Sequence, residues 1–422
     1  MTVDVAVVGL GGLGACVLRE VALRGGRAVG VDALDPPHSE GSSHGRTRII
    51  RDVYFEHPLY VPLVRRAREG WREMELEGGR PLLRRTGLLS VGSPEGQVLS
   101  GSLRSARTHS IPHRRLSSAE IRRAWPGLDP PGNHEGIYEE EAGVLDPEAC
   151  IRTALTTARR HGAEVRTGSP VLGWKKRRDG VELEIEGPPL LARTLILTTG
   201  PWLGPLAGEP FASLLRVERQ VTVWFGGDGR PEARPPPGVG DAPSDLDLPV
   251  LLWEPPEGPL AYAIPDLGHG LKVARHHGGS RVETRASQVG ELDRTVTDRD
   301  RCWVRQAAEA FLPGRVGREL ESSVCFYTNT PDDRFLVGRH PTASRVLLLG
   351  GGSGHAFKFA PVLAARIADL VPGLDSGVRG VRHLWSSHEG PRVSSAPAPG
   401  GAPTLEAAPA DPFEPGRFGR ST

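Results

Sequence analysis

Val3-Asp4-Val5-Ala6-Val7-Val8, then Gly9-Leu10-Gly11-Gly12-Leu13-Gly14, then Asp32, are the residues on which the fold turns. The first six read as a buried strand, and the next six fit the spacing G-x-G-x-x-G. Ala15 to Arg24 has helical spacing and stops at Gly25-Gly26, and Arg27 to Val31 is a second strand. Asp32 ends that strand, 23 residues after Gly9. Together they form a βαβ unit. Glycines there let backbone N–H groups approach a pyrophosphate at a helix N-terminus, where the dipole favours an anion. A carboxylate at the end of the second strand can hydrogen-bond both ribose hydroxyls. The glycine pattern alone is a weak signal. A strand before it, a helix after it and an acid at the right distance make it specific for a dinucleotide. Gly9, Gly11, Gly12, Gly14 and Asp32 are therefore candidate cofactor ligands, with NAD and FAD both open.

The rest of the chain sets bounds on that reading. At 422 residues it is long enough for roughly two or three domains. A formal net charge of +1 argues against a polyanion such as nucleic acid as the main partner. Cys16, Cys150, Cys302 and Cys325 are scattered, with no CxxC pair, so neither a zinc site nor a disulfide framework is expected. The chain opens on a strand and carries no apolar run of membrane-spanning length. A reducing, cytoplasmic location is the expectation.

Further elements follow from pattern. Residues 57–79 have helical spacing with Tyr60, Leu63, Trp71 and Met74 on one face, and 88–91 reads as a strand. A capped helix is expected over 117–124 with Ser118 at its start, and another over 147–161 with Asp146 as cap and Pro147 in the first turn. Strands are expected at 182–185, 194–198 and 346–349, and a helix from 357 to 370. Residues 226–248 and 386–422 are Pro/Gly-rich without periodicity and read as a mobile loop and a disordered tail.

Of 52 basic side chains only four are lysine. Lys175 and Lys176 lie in the polar run Lys175-Lys176-Arg177-Arg178-Asp179-Gly180, which reads as a surface turn; Lys272 and Lys358 stand alone. A lone lysine in an arginine-rich chain is either a chance survivor or a place that needs a compact point charge rather than a planar fork. Leu271-Lys272-Val273-Ala274-Arg275-His276 alternates like a strand, putting Lys272 and His276 on one face; Cys325 and Tyr327 share a face in the same way, and Tyr262 lies ten residues before Lys272. Lys358 falls in the first turn of a helix, where a cation opposes the dipole at roughly 0.3–1 kcal/mol and so suggests an anion nearby. His44, Thr47, Arg48 and Arg51 crowd the segment after Asp32. On composition alone Cys325 is a small hydrophobe.

The stretches 31–39 (Val-Asp-Ala-Leu-Asp-Pro-Pro-His-Ser), 43–51 (Ser-His-Gly-Arg-Thr-Arg-Ile-Ile-Arg), 85–89 (Arg-Thr-Gly-Leu-Leu), 199–202 (Thr-Gly-Pro-Trp), 325–332 (Cys-Phe-Tyr-Thr-Asn-Thr-Pro-Asp) and 352–359 (Gly-Ser-Gly-His-Ala-Phe-Lys-Phe) together resemble the monomeric sarcosine oxidase family, with its N-methyltryptophan and pipecolate oxidases. The resemblance spans about residues 3–385. It implies an α/β (α+β) fold: a Rossmann-like FAD-binding domain (1–86, 143–215 and 331–385) interleaved with a mainly antiparallel-sheet substrate domain (87–142 and 216–330). It implies FAD tethered through an 8α-S-cysteinyl bond to Cys325, with His44, Thr47, Gly352, Gly354 and Lys358 beside it. Arg51 and Lys358 would hold a substrate carboxylate. Lys272 would be the oxygen-activating cation at flavin N5, with Arg48 near the ring, and Tyr262, His276 and Tyr327 would line the substrate pocket. The chain departs from the family at Ala356, where relatives have Gly, and at Gly338, where they have Asp.

The activity implied is oxidation of a small secondary amino acid. Hydride passes to flavin N5, the imine is hydrolysed, and O₂ is reduced to H₂O₂. Sarcosine, another N-methyl amino acid or a cyclic imino acid would serve as substrate, with Trp253 and Tyr262 pointing to a larger one. The protein would act as a monomer, without metal, nucleic acid or membrane. An imine-forming oxidase of specialised metabolism, an NAD-dependent dehydrogenase and a flavin-binding protein without turnover are the alternatives.

Overall fold

The computed structural model of the chain describes residues 2–227, 246–255, 258–285, 289 and 291–374. Most of the loop expected at 226–248, and the whole of the expected tail, lie outside the described residues.

The opening βαβ unit forms as expected: strand Thr2–Val8, helix Gly12–Leu23, strand Ala28–Val31. It sits in the middle of a parallel array whose spatial order is Glu164–Arg166, Ala28–Val31, Thr2–Val8, Leu190–Leu197, Ala343–Gly350. Both faces of this sheet are covered, so the central strand is apolar and buried over Val5–Val8. Val5 and Val7 join the core under helices Gly12–Leu23, Pro147–Arg160 and Ala360–Ala368, while Ala6 and Val8 join the core on the other face. A hairpin, Val171–Arg177 with Gly180–Ile185, extends the sheet antiparallel. Lys175 and Lys176 lie in the first strand of that hairpin, and the turn falls at Arg178-Asp179. Lys175, Lys176 and Arg177 are all exposed, so this strand has no alternation there for a sequence pattern to show.

A second sheet is antiparallel except at one pair. Its order is Arg114–Ser117, Glu135–Glu139, Leu88–Gly92, Val250–Trp253, Ala261–Ile264, Leu271–Arg275, Arg216–Phe225, Glu319–Asn329, with Ser280–Val282 also paired to Arg216–Phe225. Leu88–Gly92 and Val250–Trp253 run parallel. Side-chain alternation divides this sheet. Val221, Val223, Phe225, Trp253, Val273, Val324 and Phe326 pack on the apolar side near helix Asp298–Phe311. Gln220, Thr222, Trp224, Tyr262, Lys272, Cys325 and Tyr327 line a pocket on the other. Three short strands, Arg48–Ile50, Leu83–Arg85 and Gly143–Leu145, form a third sheet.

Three helix starts differ from the pattern reading. The long amphipathic helix spans Tyr60–Gly78, with Tyr60, Leu63, Trp71 and Met74 buried. The cap of helix Ser118–Ala124 is Ser117, whose hydroxyl accepts from Glu120 N while the Glu120 carboxylate takes Ser117 N, a capping box. Lys358 sits in a single 3₁₀ turn, Phe357–Phe359, ahead of helix Ala360–Ala368.

Candidate active site

The glycine turn earns its composition from close approach. Gly9 has φ +87°, and a Cβ on Gly14 would lie 1.8 Å from Gly9 O and 2.5 Å from Thr198 Oγ1. Helix Gly12–Leu23 can therefore seat against its own turn only with glycine there. Asp32 accepts from Leu10 N (2.6 Å) and Leu34 N (3.0 Å), which fixes its carboxylate at the strand end. Gly12 N donates to Ser43 Oγ (3.0 Å), bringing segment 41–48 over the helix N-terminus.

One pocket gathers sixteen of the expected site residues: Gly9, Gly11, Gly12, Asp32, His44, Thr47, Arg48, Arg51, Tyr262, Lys272, His276, Cys325, Tyr327, Gly352, Gly354 and Lys358. Gly14 is buried beneath it as a packing residue. Trp253 is not part of it. It lies on the opposite face of the sheet, stacked on Phe311 with centroids 5.1 Å apart, so its expected bearing on substrate size is corrected. One residue of register in a strand decides which face a side chain takes.

Segment 41–48 is tied across the second sheet. Ser42 Oγ donates to Phe326 O (2.6 Å), and Arg48 donates to Ser42 O (2.6 Å) and Thr47 O (2.7 Å). Cys325 Sγ lies 3.7 Å from Arg48 and 3.6 Å from Ser42 O. Lys272 stands opposite Trp224 in the sheet register and is 3% exposed. Its Nζ donates to Gly45 O (2.7 Å) and Thr47 Oγ1 (3.0 Å). Burial pushes this ammonium well below its ordinary pKa, and neighbouring Arg48 adds to that, with Cys325 and Glu148 opposing.

A second cationic group sits apart from Lys272. Arg51 donates to Val53 O (2.7 Å) and to both oxygens of Glu56 (2.8 and 2.7 Å). Burial works against both charges, and each partner outweighs it for the other, so Arg51 is raised and Glu56 lowered. Lys358 Nζ donates to His355 O (3.0 Å), and burial with Arg51 nearby lowers Lys358 to about 7. Tyr54 donates to His355 Nδ1 (2.6 Å) when His355 Nε2 carries the proton given to Asp333 O (3.0 Å). Burial lowers His355 to about 4. On the sheet side His276 Nδ1 meets the Tyr327 hydroxyl at 3.2 Å. Burial holds His276 well below its usual pKa and raises both Tyr262 and Tyr327.

Sequence patterns did not single out Glu56, Glu148, His355, Trp224 or Ser43. His355 lay inside the segment 352–359 that carried the resemblance. Glu56 and Glu148 had no local signature, because an acid's importance here comes from the partner the fold brings to it.

The residues present fit a flavin dinucleotide. The glycine turn opens at Gly11, where a Cβ would meet only Ser43 within 4 Å. His44 Nε2, Thr199 Oγ1, Gln220 Nε2 and Thr328 Oγ1 are buried around the pocket without a hydrogen-bond partner. Buried polar atoms are normally satisfied, so such a cluster marks where a polar ligand belongs. Burial, with Arg48 and Lys272 nearby, lowers His44 to about 3, so it meets that ligand neutral.

The family model for FAD dependent oxidoreductases (DAO) matches residues 4–370. The chain belongs to that family. A monomeric sarcosine oxidase of Streptomyces avermitilis is 36% identical over 376 residues, 87% of this chain and 93% of the relative. A monomeric sarcosine oxidase of a Bacillus species is 34% identical over 373 residues, 87% and 91%. An N-methyl-L-tryptophan oxidase of Salmonella heidelberg is 32% identical over 381 residues, 88% and 95%. Among solved structures, NikD, an unusual amino acid oxidase essential for nikkomycin biosynthesis, superposes with TM-score 0.74 at 21% identity, covering 91% of this chain and 97% of NikD. L-Proline dehydrogenase of P. horikoshii gives 0.71 at 17% identity, covering 89% and 96%. These two establish the fold. The expected α/β (α+β) architecture, FAD dependence and kinship with sarcosine-oxidase-like flavoprotein amine oxidases all hold. No helix among the described residues is long and apolar enough to cross a membrane, and they hold no cluster suited to a metal.

Proposed function

We propose that the protein oxidises a small secondary amino acid, sarcosine or a related N-methyl or cyclic imino acid, with FAD tethered through Cys325. The observation that carries this reading is the separation of two buried cationic groups in one pocket: Lys272 beside Thr47 and Trp224, and Arg51 with Lys358 beside Glu56 and His355. When bound, FAD supplies the hydride acceptor for the carbon next to the amine and returns the electrons to O₂ as H₂O₂.

Arg51 and Lys358 grip the substrate carboxylate in a dry site, where charge-assisted bonds are strong. His276, kept neutral by burial, can take a proton from the substrate ammonium, with Tyr327 orienting its ring. Tyr262 closes the substrate space, its phenol kept protonated by burial. Lys272, aided by Arg48, supplies fixed positive charge for reduction of dioxygen. His44 and Thr47 would hold the flavin, and Gly9, Gly11, Gly12, Gly352 and Gly354 the dinucleotide, in the pocket they line. Cys325 Sγ lies 3.7 Å from the Arg48 guanidinium. We assign the FAD-binding part to 1–86, 143–215 and 331–385 and the substrate part to 87–142 and 216–330, of which 228–245 and 375–385 lie outside the described residues. The relatives named monomeric sarcosine oxidases support action as a monomer, which we place in the cytoplasm.

A peroxide assay across sarcosine, proline, pipecolate and N-methyltryptophan tests this. Peroxide from at least one is expected. Peroxide from none would remove the oxidase reading.

A further inference from the structure

Lys272 is a buried cation whose near partners are all uncharged. Its Nζ donates to Gly45 O, Thr47 Oγ1 and Thr47 O, and lies 5.2 Å from the centroid of the Trp224 indole. Among the described residues it makes no ion pair. Where the ammonium sits therefore depends on where Gly45 O points.

That carbonyl belongs to an unusual turn. Gly45 has φ +92° and Arg46 φ +67°, both left-handed. A non-glycine residue there is disfavoured and persists only where the surroundings over-determine it. The pin is Glu148, whose Oε1 accepts from Gly45 N (2.8 Å) and Arg46 N (3.2 Å). Glu148 lies in the first turn of helix Pro147–Arg160, a start fixed by Asp146 accepting from Ala149 N (2.8 Å). The turn packs directly against the lysine and the indole: a Cβ on Gly45 would lie 3.4 Å from Lys272 Nζ and 3.7 Å from Trp224. Glu148 itself is not among the residues lining the pocket.

We propose that Glu148 is a positioning residue for the oxygen-activating cation: by pinning the Gly45–Arg46 turn it fixes the carbonyl that holds the Lys272 ammonium. The inference rests on the role proposed for Lys272. It also has an electrostatic side. The charged and titratable groups facing Lys272 are His44, Arg46 and Arg48 from the segment that carries the turn, Cys325 from strand Glu319–Asn329 and Glu148 from the helix. Burial and the two arginines favour the neutral amine, while Cys325 and Glu148 favour the ammonium. Removing the Glu148 charge moves loss of the Lys272 proton to lower pH.

The scarcity of lysine makes this observable. Holoenzyme labelled with [13Cε]lysine carries four labelled side chains, and Lys272→Met assigns one by its disappearance. In Glu148→Gln the Lys272 midpoint falls by about half a pH unit or more. In Glu148→Ala, reoxidation of photoreduced flavin by O₂ slows about tenfold or more, while anaerobic reduction by sarcosine stays within about twofold. Glu148→Gln, which keeps an acceptor for Gly45 N, recovers most of that rate at pH below its midpoint. An unchanged Lys272 midpoint, or equal slowing of both half-reactions, overturns the inference. If Lys272→Met reoxidises at the wild-type rate, the role given to Lys272 fails. If Lys272→Met is slow and Glu148→Ala is not, the Glu148 inference alone fails.

Discussion

Arg51 and Glu56 are joined by two bonds from one guanidinium nitrogen to both carboxylate oxygens, with the guanidinium set over the rings of Tyr54 and Phe55 at 4.3 and 4.7 Å from their centroids. The arginine proposed to hold a substrate carboxylate is thus already holding one. A substrate anion has to compete with Glu56, and the neighbouring cation, Lys358, gives it an anchor from which to do so.

Removing that competitor sets two properties against each other. Glu56→Gln leaves a buried guanidinium short of its counter-charge and lowers stability by roughly 2–4 kcal/mol. The same change frees Arg51, so an amine-free carboxylate inhibitor binds about tenfold tighter or better. Chemical denaturation and titration of the flavin spectrum measure the two effects. Weaker inhibitor binding in Glu56→Gln would show that Glu56 helps to build the carboxylate site instead of occupying it.

Lys358 gives the site a pH dependence of definite sign. Its folded pKa, lowered to about 7 by burial and Arg51, lies below the unfolded 10.5. Below about pH 7 both states are protonated and the cost of burying the ammonium is fully present. Between 7 and 10.5 the unfolded chain binds the extra proton, so this residue makes the folded protein more stable as pH rises. Ligand binding runs the other way. A carboxylate binds best to the ammonium, so the Kd of an amine-free inhibitor rises by up to about tenfold per pH unit once the proton is lost. Lys358→Met removes that inflection. Its persistence in the variant would assign it to another group.

Cys325 is the proposed site of the flavin tether. Acid precipitation of the wild-type protein is expected to leave the yellow colour in the pellet. Cys325→Ala should release it to the supernatant while retaining the fold, because the sulfur makes no strong hydrogen bond here. Colour in the wild-type supernatant would refute the covalent bond and leave FAD bound by the glycine turn and Asp32.

Trp253 separates pocket from core. Its ring stacks on Phe311 behind the sheet, so Trp253→Phe should lower stability by about 1–3 kcal/mol and leave the ratio of kcat/KM between sarcosine and a bulkier N-methyl amino acid within about twofold. A changed ratio at unchanged stability would mean that the back of the sheet shapes the pocket.

What the sequence made legible follows from the range of the interactions. The βαβ opening, the Asp146 cap and the buried face of helix Tyr60–Gly78 are local, and each was readable from spacing. The site was readable where motifs crowd several groups into one segment, as at 43–51 and 352–359. Glu56, Glu148 and Trp224 were not, since their roles lie in pairings with Arg51, the Gly45–Arg46 turn and Lys272. Of these, Trp224 and Lys272 are 48 positions apart and meet only because their strands pair. Trp253 failed in the opposite way: an aromatic near Tyr262 in sequence turned out to face away, because its strand's alternation puts it on the other side.

The measurement that tests the account most directly separates the two half-reactions in the wild-type protein. The purified flavoprotein is mixed anaerobically with sarcosine, proline, pipecolate and N-methyltryptophan in turn, and air is then admitted. The account predicts that at least one secondary amino acid bleaches the flavin, and that air restores the colour with one H₂O₂ formed per amine oxidised. A flavin that no secondary amino acid bleaches would contradict it, as would bleaching that air does not reverse.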